Sequence, residues 1–333
     1  MLALPFLAMR LHFAHPAPRP SPMLLRRRQL LAGLALGTLA CRRGASSPSA
    51  VLARTRDVRL RSVTLHTVEL PGPGRTSRWV LHGGPGLDHT YLRPWLDPLS
   101  AAAPLVYVDL RGHGRSTSPP EAEGYALPDA AADLVELARA RGERSIDLIA
   151  HDFGAAIAFT LAARHPEVIR RLVLVAPLRD GEQVRAVARR SREALGEAGW
   201  AAIQSLSTPQ GTLRDPRSLP RLFRGLGRMW WHRPPSDATI EAMARTMRYR
   251  PEADANFLAA AQRFDARALA SEVRAPTLVI SGDDDLTFRP EESRALAELL
   301  PHGRYHELDA AGHLPFIEQP AAFVRAVNEF LST

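Results

Sequence analysis

The chain predicts an α/β fold: a mostly parallel central sheet, helices on both faces, and an inserted helical cap. Three observations carry that prediction. Short apolar runs ending at Gly, Asp or Pro recur along the chain, as buried parallel strands do. Helical patterns fall between them. One long stretch, residues 179–272, breaks the rhythm: it is rich in Arg and Ala, has helical periodicity and holds no convincing buried strand. Alternation with one helical insertion places a lid over the C-terminal edge of the sheet.

The elements follow in order. Residues 58–70 alternate apolar and polar and predict a first hairpin. The runs RWVLH (78–82), LVYVDL (105–110), SIDLIA (145–150) and RLVLVAP (171–177) predict buried strands. DAAADLVELARARG predicts a helix stopped at Gly142. After the cap, PTLVISG (276–282) and RYHELDAAGH (304–313) resume the strand pattern. The organisation is therefore a core of 51–178 and 273–333, a cap of 179–272, and an N-terminal segment of 1–50.

The 333 residues are 45% hydrophobic and 23% charged, ordinary globular values for one large domain with an insertion. A chain this long buries enough surface to fold without disulfide or metal. The net charge of +8 is concentrated: Arg10, Arg19, Arg26, Arg27, Arg28, Arg42 and Arg43 precede any acid, and without those seven about +1 remains. Charge therefore gives no support to a nucleic-acid partner. Oligomeric state stays open between monomer and dimer.

RRRQLLAGLALGTLAC reads as an export signal, with a twin arginine (Arg27, Arg28) before an apolar run too short to span a membrane. It resembles a bacterial twin-arginine signal, which implies export across the inner membrane, and Met23 is the expected start. Cys41 is the sole cysteine, so no internal disulfide forms. It sits where a lipoprotein carries its lipid acceptor, which would anchor the protein to the membrane. Thr38 and Leu39 depart from that pattern, and a plain cleaved signal is the alternative.

Three loops follow strand ends: HGGPG (82–86), DLRGHGRS (109–116) and AHDFGA (150–155). With SGDDD and AGHLPFIEQP later, they resemble the α/β-hydrolase family from about Val58 onward. Ala150 and Gly154 are the small residues that a sharp strand-to-helix turn needs. The resemblance places Asp152 at the nucleophile position, on a helix N-terminus whose dipole favours a carboxylate. It makes His313 the final histidine and Asp285 its orienting acid, with Asp283 and Asp284 as near alternatives. The amides of Gly84 and Phe153 become the oxyanion hole. His82, His151, His113 and Arg111 are expected to brace loops.

Where the family usually carries serine, Asp152 changes the chemistry. A carboxylate with an ordinary pKa of about 3.9 attacks without a base. On an acyl carbon it gives a mixed anhydride that reverts; on a saturated carbon bearing a leaving group it gives a stable alkyl ester. His313 then activates water against that ester. This resembles epoxide hydrolases and haloalkane dehalogenases, implying a small-molecule substrate and requiring neither cofactor nor metal. Departing negative charge needs a donor in the cap. Tyr249 is the candidate for an epoxide, and Trp230, Trp231 and His232 are candidate pocket residues. Dehalogenases commonly place Trp after the nucleophile and Asn after the HG, where this chain has Phe153 and Gly84, so epoxide outranks halide. HGGPG also resembles proline iminopeptidases, which use serine at the elbow. A non-catalytic ligand-binding relative is the reading from a different class.

Overall fold

The computed structural model describes residues 53–208 and 211–333. The predicted signal, Met23 and Cys41 lie outside them. The strands are β1 (Arg54–Arg59), β2 (Thr64–Leu70), β3 (Arg78–Leu81), β4 (Leu105–Val108), β5 (Ile146–His151), β6 (Ile169–Val175), β7 (Thr277–Gly282) and β8 (Gly303–Leu308). They form one sheet in the order β1-β2-β4-β3-β5-β6-β7-β8. The β1–β2 and β2–β4 pairs are antiparallel and the other pairs parallel. The hairpin starts earlier than expected because β1, RTRDVR, is almost wholly exposed and has no apolar alternation to read.

Strands β3 to β7 are buried on both faces, as a parallel sheet requires. Leu148 and Ala150 of β5 pack with α1 (Leu127–Ala140) and α2 (Phe153–Arg164), while Ile149 packs on the opposite side. Helix α1 ends as read: Gly142 takes φ +70° and Glu143 N–H closes on the Ala138 carbonyl at 2.9 Å. Residues 179–272 contain α3 (Gly181–Leu206), α4 (Leu219–Gly225), α5 (Gly227–Trp230), α6 (Asp237–Thr246) and α7 (Pro251–Ala261). Gly196, at φ +69°, breaks α3 into two helical runs. Helices α8 (Pro290–Leu299), α9 (Pro315–Glu318) and α10 (Pro320–Ser332) complete the chain, and Phe323 and Val327 of α10 back the second face of the sheet. Among the described residues no helix is long and apolar enough to cross a membrane.

Phe257 of α7 ties the inserted stretch to the core. It is fully buried against Phe153, His113 and Tyr125, with ring centroids 5.2–5.3 Å away. We expect Phe257→Ala to destabilise the protein by about 3–5 kcal/mol, the usual loss for a buried aromatic. Chemical denaturation measures it, and a loss below about 1 kcal/mol would show that this contact is not a structural anchor.

Candidate active site

Strands β3, β5, β7 and β8 bring four loops to one edge of the sheet. Gly84 follows β3, Asp152 follows β5, Asp285 follows β7 and His313 follows β8. Asp152 takes φ +54° and ψ −122° between β5 and α2, a conformation that side chains rarely adopt. Two neighbours make the turn feasible. A Cβ on Gly154 would lie 2.3 Å from the His82 carbonyl oxygen, and one on Gly83 would lie 2.5 Å from Asp152 Oδ2. Only glycine permits these approaches.

The carboxylate of Asp152 is divided in its contacts. Gly84 N–H donates to Oδ2 at 2.7 Å, and the Phe153 amide also hydrogen-bonds the carboxylate. Oδ1 lies 4.0 Å from His313 Nε2. That is too long for a direct hydrogen bond and short enough for one water to touch both. Burial pushes the Asp152 pKa up; His313 and the two amides only partly oppose it, and the Asp285 charge adds to the rise. Burial is the largest of the influences on this carboxyl group.

The three aspartates after β7 separate cleanly. Asp285 Oδ2 accepts from His313 Nδ1 at 2.9 Å, and its Oδ1 accepts the Thr287 and Phe288 amides at 2.8 and 3.1 Å. Asp283 accepts the Ala311 amide, while Asp284 pairs with Arg228 and His232. Burial would lower the His313 pKa, but Asp285, with a further contribution from Asp152, outweighs it and holds the imidazole above its ordinary value. The hydrogen bond to Asp285 also fixes the tautomer, leaving Nε2 as the working nitrogen.

A second line of contacts holds His313 in place, and sequence reading missed part of it. Gly83 N–H donates to the Tyr91 hydroxyl at 2.6 Å, which donates to His151 Nδ1 at 2.7 Å. His151 Nε2–H in turn donates to the His313 carbonyl at 3.0 Å, so His151 supports the loop. Burial holds its pKa well below the ordinary value. Tyr91 belongs to no motif, and only tertiary structure brings it here. His82 donates to its neighbour's carbonyl and accepts the Leu110 amide. Arg111 clasps Asp133 with two bonds of 2.6 Å and His113 bonds the Arg111 carbonyl, both bracing their loop.

The predicted pocket residues divide three ways. Trp230 borders the site: its ring stands 5.6 Å from the His313 ring, and its carbonyl accepts the His313 amide at 2.8 Å. Trp231 is a correction, being fully buried in the core with its indole N–H on the Phe223 carbonyl. His232 is a second correction, an exposed residue paired with Asp284 outside the pocket walls. The alternating sizes of a WWH run gave no indication of which side chain faces inward. Tyr249 is the third correction. Its hydroxyl does not address Asp152; it donates to Asp254 and accepts the Leu213 amide at 2.9 Å.

Asp152, Phe153 and His313 face a chamber of about 380 Å³, also walled by Trp200, Trp230 and Asp254. A neighbouring chamber of about 520 Å³ is lined mainly by apolar cap residues, among them Ile203, Leu222 and Phe223. Gly84, Pro85, Trp230 and Asp254 border both. Among the described residues no group of three or more His, Cys, Asp or Glu is placed to hold a metal ion.

Comparison with known proteins gives a consistent result. The family described as alpha/beta hydrolase fold matches residues 80–320. A pimeloyl-[acyl-carrier protein] methyl ester esterase from Chromobacterium violaceum is 30% identical over 261 residues, covering 77% of this chain and 92% of the relative. A proline iminopeptidase-related protein from Thermus thermophilus is similar in structure, with a TM-score of 0.67 and 27% identity over 84% of this chain and 98% of that one. The enol-lactonase of Burkholderia xenovorans gives 0.62 and 25% over 81% and 97%.

The His313–Asp285 pair has a measurable signature. Asp285→Asn removes the main charge that raises the His313 pKa, so with burial opposed only by the smaller contribution of Asp152 we expect the pKa to drop below about 6.5. Imidazole NMR titration reads it. In the wild type, the raised pKa contributes stability that is complete below about pH 6.5 and lost as pH rises through the folded-state value. The variant should lack that stabilisation, and an unchanged His313 titration would contradict this assignment.

Proposed function

We propose that this chain, which belongs to the α/β-hydrolase fold family, hydrolyses epoxides to diols through a covalent alkyl ester on Asp152. The observation that carries the reading is the division of the Asp152 carboxylate. Oδ2 takes the Gly84 amide, and Oδ1 lies 4.0 Å from His313 Nε2. An ester substrate attacked at its carbonyl would develop an oxyanion that needs that same donor. With Oδ2 seated on it, the acyl route has no free place prepared for its charge. Attack by Oδ1 on a saturated carbon needs none.

The two steps balance. Oδ1 forms a bond to the epoxide carbon, the carbon–oxygen bond breaks, and the ring oxygen takes a proton. In the ester, the carbonyl oxygen is Oδ2, already on the Gly84 amide. Water then loses a proton to His313 Nε2 and attacks the ester carbon. The tetrahedral oxyanion rests on Gly84 and Phe153, and collapse expels the diol oxygen, which recovers the proton from His313. Asp285 stabilises the imidazolium between those events. The carboxyl that remains on Asp152 carries the oxygen from water and loses its proton to return to the start.

A halide leaving group would need N–H donors near Asp152. Neither Phe153 nor Gly84 has a side chain that supplies one, and the Trp231 indole is spent in the core. The Trp200 and Trp230 indoles do wall the chamber, and Trp200 Nε1 has no hydrogen-bond partner among the described residues, so halide hydrolysis is the second reading. The relatives' names favour ester substrates, but the occupied Gly84 amide weighs against carrying that activity over. The same proposal has the enzyme exported by the signal read around Arg27 and Arg28, with a lipid anchor on Cys41 as an open part of it.

A single turnover of 1,2-epoxyoctane in oxygen-18 water tests the proposal. The label should enter the peptide bearing Asp152, and Asp152→Ala should abolish turnover. His313→Gln should still form the adduct yet hydrolyse it roughly 10²–10⁴-fold more slowly, so intact mass rises by one substrate molecule. Label confined to the first-turnover diol, or no adduct in the His313 variant, would overturn the ester route.

A further inference from the structure

Asp254 is a carboxyl group on the chamber wall that the two steps above do not use. It stands in the first turn of α7 and borders both chambers, with Gly84, Pro85 and Trp230 around it. Its Oδ2 accepts the Tyr249 hydroxyl. That hydroxyl already accepts the Leu213 amide, so its own proton is committed to Asp254. No hydrogen-bond partner meets Asp254 Oδ1 among the described residues, and no cation there pairs with the group. Burial pushes its pKa up to about 7, only partly countered by the Tyr249 hydrogen bond. With Oδ2 accepting from Tyr249, the proton of neutral Asp254 belongs on Oδ1.

We propose that Asp254 is the acid that protonates the epoxide oxygen as Asp152 attacks, and that Tyr249 is the residue that positions it. The inference rests on the reading of Asp152 as a nucleophile toward saturated carbon. It replaces the tyrosine acid expected from sequence by a carboxylic acid held by that tyrosine. In the step itself, the Asp152 Oδ1–carbon bond forms, the carbon–oxygen bond breaks, and the proton passes from Asp254 Oδ1 to the ring oxygen. Asp254 is left as the carboxylate. After ester hydrolysis the new Asp152 carboxyl carries one proton too many, and its transfer through chamber water restores Asp254. The net reaction is epoxide plus water to diol.

The surroundings favour this division of labour. The other titratable groups on the walls are Asp152 and His313 in the same chamber and Tyr249 and Arg214 in the neighbouring one. Arg250, four residues before Asp254, sends its guanidinium to Ser118. Among the described residues no cation pairs with Asp254, and the mostly apolar cap wall disfavours its charge. A proton donor must be neutral when the substrate binds, and Asp254 meets that condition at and below about pH 7.

The experiment compares the rate of Asp152 alkylation by 1,2-epoxyoctane and 1-bromooctane, read by intact mass in the His313→Gln background. Bromide leaves without a proton. Asp254→Asn keeps the acceptor for Tyr249 and should slow epoxide alkylation by roughly 10²–10⁴-fold, leaving bromide alkylation within about threefold. With Asp254 present, epoxide alkylation should fall as pH rises through about 7, and the variant should lose that fall. Tyr249→Phe removes a donor to the carboxylate, so the fall should move to higher pH while most of the rate survives. Equal losses on both electrophiles in Asp254→Asn, or an unchanged epoxide rate, would overturn the inference while leaving the Asp152 ester intact. Abolition by Tyr249→Phe with Asp254→Asn active would return the role to the tyrosine. An absence of any Asp152 adduct in the parent would instead sink the nucleophile reading and this inference with it.

Discussion

The site depends on one backbone residue held in a conformation it would not choose. Asp152 at φ +54° turns the chain from β5 into α2 within a single residue. That turn lifts the carboxylate out of the sheet edge and aims the first amide of α2 at it. The strain is of order 1–3 kcal/mol, and packing on both sides offsets it. Gly154 lies against the His82 carbonyl and Gly83 against the carboxylate, so the turn is clamped between β3 and β5. Relaxing it would move the Asp152 carboxylate, its contact with the Gly84 amide and the His151 link to His313 together.

Three carboxyl groups, Asp152 and Asp254 on the chamber wall and Asp285 buried behind His313, are kept chemically distinct by their partners. Asp285 has two amides and an imidazole and no exposure, so it orients and carries charge. Asp152 has the Gly84 amide on one oxygen and the second oxygen 4.0 Å from His313 Nε2. Asp254 has a phenol and no cation. Desolvation acts on both Asp152 and Asp254, and the number of donors decides how far each yields to it. In the proposed reaction, attack, orientation and protonation fall to one residue type, and this separation is what lets them.

Much of this was legible in the sequence, for identifiable reasons. Buried parallel strands are short and continuously apolar, so β3, β4, β5, β6 and β7 stood out. Ala150 and Gly154 marked a turn whose sterics admit little that is larger, and the family resemblance singled out Asp285 among the three aspartates after Gly282. What stayed hidden was set by tertiary contacts. β1 is an exposed edge strand without periodicity. Trp230 and Trp231 are neighbours in sequence, yet one faces the chamber and the other the core. Tyr249 was found as a residue but its hydroxyl was assigned to the wrong partner, because Asp254 five residues on carries no motif and only folding closes that pair. Tyr91 left no trace at all.

Helix α2 has one more consequence. From Phe153 to Ala163 every residue is buried, so it presents no face to solvent on which it could rest if detached. Such a segment cannot fray independently; exposing it means disassembling the sheet around it, at a free energy near that of the whole domain. Asp152 is therefore wired into the most cooperative part of the molecule. Loss of its geometry and loss of the native state are one event, and heat or denaturant will find no populated species that is folded yet has its elbow undone.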